Sequence, residues 1–255
     1  MANDKSKFVF RNRLLCALSP SDAALLTPHL RAVTLKLRQE LEQPGRPIRR
    51  VYFIERGIAS VVSAGIGKDR VETGLIGPEG MTGLMVLLGN HQSPNATFIQ
   101  AEGTALAIDA DALRVALEKS ESLRRLLLKY AQVFVIQTAQ TAVANARLTL
   151  EGRLARWLLM TQDRLGESKV PMTHEFLSVM LGVRRAGVTE ALHALEGKRA
   201  IRARRGEIDI LDRKIIQKRA GTLYGLPEAE YERLFGTPSP SSRTPCAGRA
   251  RTAAT

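Results

Sequence analysis

The chain divides into three regions by its pattern of hydrophobic and polar positions. Residues 32–109 hold short runs of alternating or β-branched residues, separated at close intervals by glycine, proline and asparagine. This pattern is typical of short antiparallel strands in a sandwich or barrel. From Asp111 to Gln162 proline is absent and apolar residues recur at helical spacing. Residues 172–212 then contain three pieces of helix or strand length.

Apolar positions between Ser120 and Arg147 recur close to a heptad repeat, and small residues follow toward the end. A helix of this length needs a partner along its apolar face, and small residues favour close helix–helix contact. That partner is either a second copy of the chain or another part of the same chain. On the first interpretation this is a dimerisation helix, whose interface consists of Leu123, Leu127, Tyr130, Phe134, Gln137, Thr141 and Ala144.

The stretch SVMLGVRRAGVTEALHALEG, Ser178 to Gly197, is a helical pattern interrupted by a glycine. Thr173 is placed to cap a first helix, and Gly182 suits the left-handed turn that ends it. A second helix, from about Arg184 to Glu196, has one apolar face and one polar face. Two helices joined in this way predict a helix-turn-helix, whose second helix enters the major groove of DNA. The candidate DNA-binding residues of these helices are Thr173, His174, Arg184, Arg185, Thr189, Glu190 and His193.

A basic segment follows, with five positive charges in the eight residues 198–205. A turn at Arg205-Gly206 and the strand-like EIDIL predict a β-hairpin wing beside the helices. Its cations suit contacts to DNA phosphates, which give affinity but no sequence information. The alternative is a solvated basic hairpin. The candidate phosphate-binding residues are Lys198, Arg199, Arg202, Arg204 and Arg205.

The net charge of +13 favours an acidic partner, either nucleic acid or an anionic membrane, although solubility alone would also explain it. The two cysteines, Cys16 and Cys246, form no CxxC motif, so we expect neither a zinc site nor an iron–sulfur cluster, and no cofactor. The N-terminus lacks a secretory signal, and the longest apolar runs are too short to span a bilayer. We expect a cytoplasmic protein without a membrane partner. Motifs of common enzyme classes are absent, so we expect no enzyme.

Over residues 10–215 the chain resembles the Crp/Fnr transcription regulators. The resemblance is carried by MTHEFLSVMLGVRRAGVTEALHALEGKRAIRARRGEIDILD, and by VYFIERGIASVV with VETGLIGPEGMTG. It implies an α+β fold with an N-terminal antiparallel β-roll (a double-stranded β-helix, jelly-roll-like), a long dimerisation helix and a C-terminal winged helix-turn-helix. The expected divisions are a β-roll sensor domain at 10–119, the dimerisation helix at 120–147, the DNA-binding domain at 148–218, a helical extension at 219–236 and a disordered tail at 237–255.

The recognition helix departs from well-known members of that family. They carry an arginine, a glutamate beside it, and a second arginine four residues further on. The corresponding positions here are Arg185, Ala186 and Glu190. Arg185 can still form a bidentate contact with guanine, and Glu190 can accept from cytosine. We therefore expect a half-site that differs from the usual family consensus.

The β-roll departs from the cyclic-nucleotide binders of the family. Their phosphate cassette has a glutamate after a glycine and then an arginine that pairs with the cyclic phosphate. Those positions fall at Gly83 and near Asn95, and neither lysine nor arginine occurs between Arg70 and Arg114. A buried phosphate without a cation would be costly, so cyclic AMP binding is not expected. The segment is either a lid over a different small ligand or a scaffold only. The candidate pocket residues are Gly80, Met81, Thr82, Gly83, Asn95, Ala96 and Thr97.

Taken together, these features predict a sequence-specific DNA-binding transcription regulator that binds a pseudo-palindromic site as a homodimer. The resemblance implies double-stranded DNA and RNA polymerase as partners, and it leaves open an unidentified small-molecule effector. The alternative is a small-ligand or cyclic-nucleotide sensing module in which DNA binding is secondary.

Overall fold

A computed structural model describes residues 9–64 and 70–236; the predicted tail at 237–255, which contains Cys246, lies outside them. The helices are α1 Arg13–Cys16, α2 Pro20–Leu26, α3 Leu84–Leu87, α4 Ala110–Lys119, α5 Glu121–Arg147, α6 Leu150–Leu165, α7 His174–Leu181, α8 Arg185–Gly197, α9 Arg213–Ala220 and α10 Leu226–Phe235. The strands are β1 Arg31–Leu35, β2 Glu40–Glu42, β3 Arg50–Ala64, β4 Arg70–Ile76, β5 Asn95–Asp109, β6 Lys169–Pro171, β7 Ile201–Arg204 and β8 Glu207–Ile210. Each helix within these described ranges is too short or too polar to cross a membrane.

The N-terminal unit is the antiparallel β-roll that the sequence predicted. Its sheet has the strand order β1-β5-β3-β4, and β2 also pairs with β5. β3 and β5 are each 15 residues long and pair antiparallel from Arg50–Asp109 to Ser63–Asn95. Apolar side chains from these strands fill the interior of the roll, while a second apolar cluster joins the roll to α1, α4 and α5.

The helical region predicted between Asp111 and Gln162 consists of three helices. Ser120 separates α4 from α5, and its hydroxyl accepts a hydrogen bond from the backbone N–H of Leu123 at 3.1 Å. Thr149 begins α6 in the same manner. Serine and threonine are preferred at such helix starts because their side chains satisfy backbone N–H groups that lack a partner within the helix. The helix predicted at 120–147 is α5.

The face of α5 predicted as a dimer interface packs within the single chain. Within the single chain six of its seven side chains are buried: Leu123, Leu127, Tyr130, Phe134, Gln137 and Ala144. The seventh, Thr141, is half-buried and accepts a hydrogen bond from Arg156. Phe134 enters the interior of the roll, and the Gln137 amide exchanges hydrogen bonds of 3.1 and 3.0 Å with the backbone of Leu75. These side chains are used to close the roll, so they are not available to a second copy.

The C-terminal unit contains α6 to α9 and a three-stranded antiparallel sheet with the order β6-β8-β7. Its core is built from the apolar faces of α6, α7 and α8 against this sheet. Representative buried side chains are Leu154, Leu158, Leu177, Val188, Leu192, Leu195, Ile208 and Ile216. The order of helices followed by a β-hairpin is that of the predicted winged helix-turn-helix.

The two units share a packed interface. Val62 of β3 belongs to the core of the C-terminal unit, and Phe98 of β5 packs edge-on against Phe176 of α7 with ring centroids 6.0 Å apart. The carboxyl group of Glu72, in β4, joins the two units by hydrogen bonds. It accepts from the Ser60 hydroxyl at 2.5 Å and from the Trp157 indole at 2.9 Å. Burial raises the pKa of Glu72 to about 7, although these hydrogen bonds act to lower it.

A buried ion pair crosses the same interface. Arg164 of α6 lies 2.8 Å from the Glu79 carboxylate of the roll, and both side chains are almost fully buried. The Arg164 guanidinium also donates to the carbonyl of Met160 at 2.9 Å and to the Gln137 amide oxygen at 3.3 Å. This one side chain therefore connects the roll, α5 and α6.

We predict that the Glu72 carboxyl group makes stability pH-dependent. Its pKa is about 7 in the folded chain and 4.5 ordinarily, so its favourable contribution is complete below pH 4.5 and is lost as the pH rises through 7. The loss amounts to about 3 kcal/mol at most. In Glu72→Gln the fall in free energy of unfolding between pH 5 and 8 should largely disappear, as measured by urea denaturation. Glu118→Gln, at an exposed carboxylate, is the control; an equal pH dependence in all three proteins contradicts this prediction.

Candidate nucleic-acid interface

The helix-turn-helix is formed by α7 and α8, as the sequence predicted. The Thr173 hydroxyl caps α7 by accepting a hydrogen bond from the backbone N–H of Phe176 at 3.2 Å. Gly182 ends α7 in the left-handed conformation, with φ of 61°. A Cβ at this position would lie 2.7 Å from the side chain of Val71 in β4, so both the backbone angle and the lack of space require glycine. Val183 then packs against the core, and α8 begins at Arg185.

The second helix presents a polar face that no other part of the described chain covers. Arg184, Arg185, Glu190 and His193 are exposed. Arg184 is the residue that precedes α8, and Arg185 is the first residue within it. Among the described residues, neither arginine forms a salt bridge. Two cations at an exposed helix start suit an anionic partner.

Two of the predicted DNA-contact residues, His174 and Thr189, contact each other within the helix-turn-helix. His174 Nδ1 lies 3.2 Å from the Thr189 hydroxyl, which also donates to the backbone carbonyl of Arg185 at 3.2 Å. The contact joins α7 to α8 beside the apolar core that they share. We infer that His174 and Thr189 position the recognition helix, whereas the more exposed side chains of α8 remain free to contact a ligand.

The predicted wing is the hairpin of β7 and β8, which turns at Arg205 and Gly206. The structure divides its five cations into two groups. Lys198 forms a 2.9 Å ion pair with Glu151 at the start of α6, and Arg204 lies 3.5 Å from Asp209 on the neighbouring strand. Arg199, Arg202 and Arg205 are exposed, and among the described residues none of them forms a salt bridge. The acidic partners, Glu151 and Asp209, could not be recognised from the count of cations in the sequence.

The candidate pocket residues of the β-roll contact other parts of the chain itself, as expected for the scaffold alternative. The carboxylate of Glu42, in β2, accepts a hydrogen bond from the backbone N–H of Gly83 at 2.6 Å and one from the Thr97 hydroxyl at 3.2 Å. Thr82 also hydrogen-bonds to this carboxylate. Burial raises the pKa of Glu42, and the three hydrogen bonds offset only part of that effect.

The rest of that pocket is closed by packing. A Cβ at Gly80 would overlap the ring of Tyr130 from α5, and Met81 and Ala96 are buried. Only Asn95 is half-exposed among the seven predicted residues. A ligand at Gly83 would have to displace the Glu42 carboxyl group. Within the described ranges no cluster of His, Cys, Asp and Glu side chains is arranged to hold a metal ion.

Residues 152–219 match the family model described as the Crp-like helix-turn-helix domain. Among solved structures, FixK2 from Bradyrhizobium japonicum is similar over 76% of this chain and 98% of that chain, with 16% identity and a TM-score of 0.66. A Crp-family transcriptional regulator from Thermus thermophilus is 16% identical over 74% and 97% of the two chains, with a TM-score of 0.64.

CLP, described as a c-di-GMP-responsive global regulator of Xanthomonas campestris, is 15% identical over 75% of this chain and 99% of that chain, with a TM-score of 0.61. At such identities the similarity shows a common fold. The chain has no match among curated protein sequences.

We predict that Arg185 and Arg202 make different kinds of DNA contact. Arg185→Ala should cost about 1–3 kcal/mol on a specific site and relax one base position, because a bidentate contact to guanine is lost. Arg202→Ala should weaken all duplexes alike and reduce the salt dependence, because a phosphate contact is lost. Fluorescence anisotropy with specific and scrambled duplexes at several salt concentrations measures both effects. Unchanged specific binding by Arg185→Ala would show that α8 lies in the groove in another register.

Proposed function

We propose that the chain is a dimeric, sequence-specific DNA-binding transcription regulator. It has the Crp/Fnr fold and a Crp-like helix-turn-helix domain at residues 152–219. The observation that carries the proposal is the start of α8, where Arg184 and Arg185 are exposed after the turn at Gly182. In helix-turn-helix proteins this end of the second helix contacts base edges in the major groove.

The contacts divide by chemistry. Arg185 is placed to bind guanine, and Glu190 to accept a hydrogen bond from cytosine. Phosphate contacts come from the exposed wing cations Arg199, Arg202 and Arg205. Lys198 and Arg204 contribute less, because each already has an acidic partner within the domain. Glu190 also disfavours guanine at this position, because guanine presents only acceptors in the major groove, so the half-site is selected partly by what this position rejects.

The dimer interface that we propose is the outer face of α5, opposite the one that closes the roll. Three large apolar side chains are exposed there: Leu128, Val135 and Val143, of which Val135 is 63% exposed. Ala139, Ala142 and Ala146 are also exposed on this helix. Small residues between larger ones allow two helices to approach closely. A second copy related by a two-fold axis would bury this face and present two α8 helices to half-sites about one turn of DNA apart.

Regulation by a cyclic nucleotide at the phosphate cassette is not part of the proposal. Glu42 occupies the backbone donor of Gly83, so the alternative of a cyclic-nucleotide sensing module has no support at that position. We also propose that the protein acts on chromosomal DNA in the cytoplasm and that it acts through RNA polymerase.

Selection of bound duplexes from a random DNA library, with purified protein and no added ligand, tests the proposed function. We expect a pseudo-palindrome with half-sites separated by about one helical turn, roughly 10–10.5 base pairs. Recovery of sequence-blind, salt-sensitive binding only would contradict a regulator that is competent without an effector. Recovery of a single unpaired half-site would contradict the dimer.

Val135→Glu tests the proposed dimer interface. The side chain is exposed in the single chain, so the protomer should stay folded while two charges meet across the two-fold axis. We expect a monomer by analytical ultracentrifugation, unchanged circular dichroism and weaker binding to the palindrome. Val115→Glu, at an exposed apolar residue of α4, is the matched control and should remain a dimer. A dimer in both variants would place the interface elsewhere.

A further inference from the structure

The chain continues beyond the helix-turn-helix domain and returns to the N-terminal unit. After α9 it makes a 3₁₀ turn at Gly221–Leu223 and then forms α10. The segment at 221–236, which we call the C-terminal clasp, lies outside the part of the chain that matches the Crp-like domain. It packs along α5, the helix that also closes the β-roll.

The first end of the clasp is anchored on the DNA-binding domain. The Tyr224 hydroxyl donates to the Asp163 carboxylate of α6 and accepts a hydrogen bond from Arg213 of α9 at 2.5 Å. Arg213 also binds Asp163 at 2.6 Å. The carbonyl of Leu223 accepts from Arg156 at 2.8 Å. These are charge-assisted hydrogen bonds, which are stronger than bonds between neutral groups.

The second end is buried in the N-terminal unit. Tyr231 is 2% exposed and belongs to the same apolar cluster as Leu14 and Tyr130, and Leu234 and Phe235 pack against that cluster. The rings of Tyr231 and Phe235 stack at 4.4 Å. On the surface, the Gln132 amide of α5 donates to Glu230 at 3.1 Å.

The middle of the clasp lines a small cavity of about 20 Å³ where the roll, α5 and α6 meet. Glu228 and Tyr231 line it from α10, Glu79 from the roll, Tyr130 from α5 and Arg164 from α6. Burial lowers the pKa of Arg164, but the carboxylates of Glu79, Glu228 and Asp163 more than offset this, and its pKa lies above the ordinary value. The cation is paired with Glu79 of the roll at 2.8 Å, and Glu228 of the clasp adds to its electrostatic stabilisation.

We propose that the C-terminal clasp fixes the DNA-binding domain in one orientation against the β-roll, and that this clasped orientation is the one that binds DNA. The direct connection from α5 to α6 is only Leu148 and Thr149, which alone would act as a hinge. Besides the packed interface of the two units, the clasp adds a second connection through the chain itself, so rotation about the hinge requires Tyr231 and Phe235 to leave the cluster they pack in. The clasped chain leaves Arg185 and Glu190 exposed. The inference rests on the proposed function. In it the clasp, and not a bound effector, holds the DNA-binding domain in the orientation that binds DNA.

Crosslinking tests whether the clasped orientation is competent. Gln132→Cys and Glu230→Cys are combined in the full chain with Cys16 and Cys246 replaced by serine. The two introduced thiols are then joined by a short bis-methanethiosulfonate reagent that can be reduced again. We expect high intramolecular yield without DNA, because the two native side chains are in contact. The crosslinked protein should bind the selected palindrome within about twofold of the reduced protein. Failure to crosslink, or loss of specific binding that reduction restores, overturns the proposal.

Phe235→Ala tests whether the clasp matters to affinity. If a loosened clasp leaves a tenth of the molecules in the competent orientation, the apparent Kd for the palindrome rises about tenfold, while binding to scrambled duplex is unchanged. The same crosslink, between the thiols introduced by Gln132→Cys and Glu230→Cys, should restore the affinity of this variant. Leu226→Ala, at an exposed apolar residue of α10, is the matched control and should bind as the wild type does.

Unchanged affinity in Phe235→Ala, or a loss that crosslinking does not repair, contradicts the clasp. A wild-type chain that recovers no specific duplex contradicts the proposed function instead, whatever the crosslinking yield. Because the yield is measured without DNA, the two failures can be told apart.

Discussion

Buried charge between the two units is the constraint on which their arrangement depends. Arg164 is taken out of water at the point where the roll, α5, α6 and α10 meet, and Glu79 is the carboxylate that compensates it at 2.8 Å. Such a pair adds little net stability over a well-packed apolar contact, but removing one partner leaves an unpaired buried charge and costs about 3–5 kcal/mol. Any rotation of the DNA-binding domain that separates these groups carries a similar penalty. The pair therefore selects one orientation more than it strengthens the fold.

The helix-turn-helix could be predicted from sequence because each of its signals is local. A capping threonine, a left-handed glycine and the spacing of Val188, Leu192 and Leu195 all lie within one short stretch of chain, and the structure has them as expected. The wing was predicted for the same reason. Which of the wing cations are free could not be predicted in this way. Lys198 is paired with Glu151 of another helix, and the local sequence does not show which distant acidic residue lies nearby.

What the predicted dimer face and pocket residues contact could not be read from the sequence, because periodicity identifies an apolar stripe but not its partner. α5 has two apolar stripes, one with Phe134 and Gln137 against the roll and one with Leu128 and Val135 exposed. The repeat is the same for both, and only packing distinguishes them. Glu42 accepts from the backbone N–H of Gly83, 41 residues away in sequence. Comparing residues 80–97 with a phosphate cassette therefore shows that the arginine is missing, but it does not show that the Glu42 carboxyl group occupies the donor.

The packing of α5 and that of Glu42 within the chain are physically connected. A ligand can shift an equilibrium between two orientations only by its difference in affinity for them. In this chain the interior of the roll is filled by Phe134 from α5, and the donors at Gly83 and Thr97 are used by Glu42. Displacing these groups would cost a ligand at that position much of its binding free energy. Little difference in affinity between two orientations of α5 would then remain to move the helix. A segment that biases the orientation must touch both units, and the clasp does so through Tyr224 at one end and Tyr231 at the other.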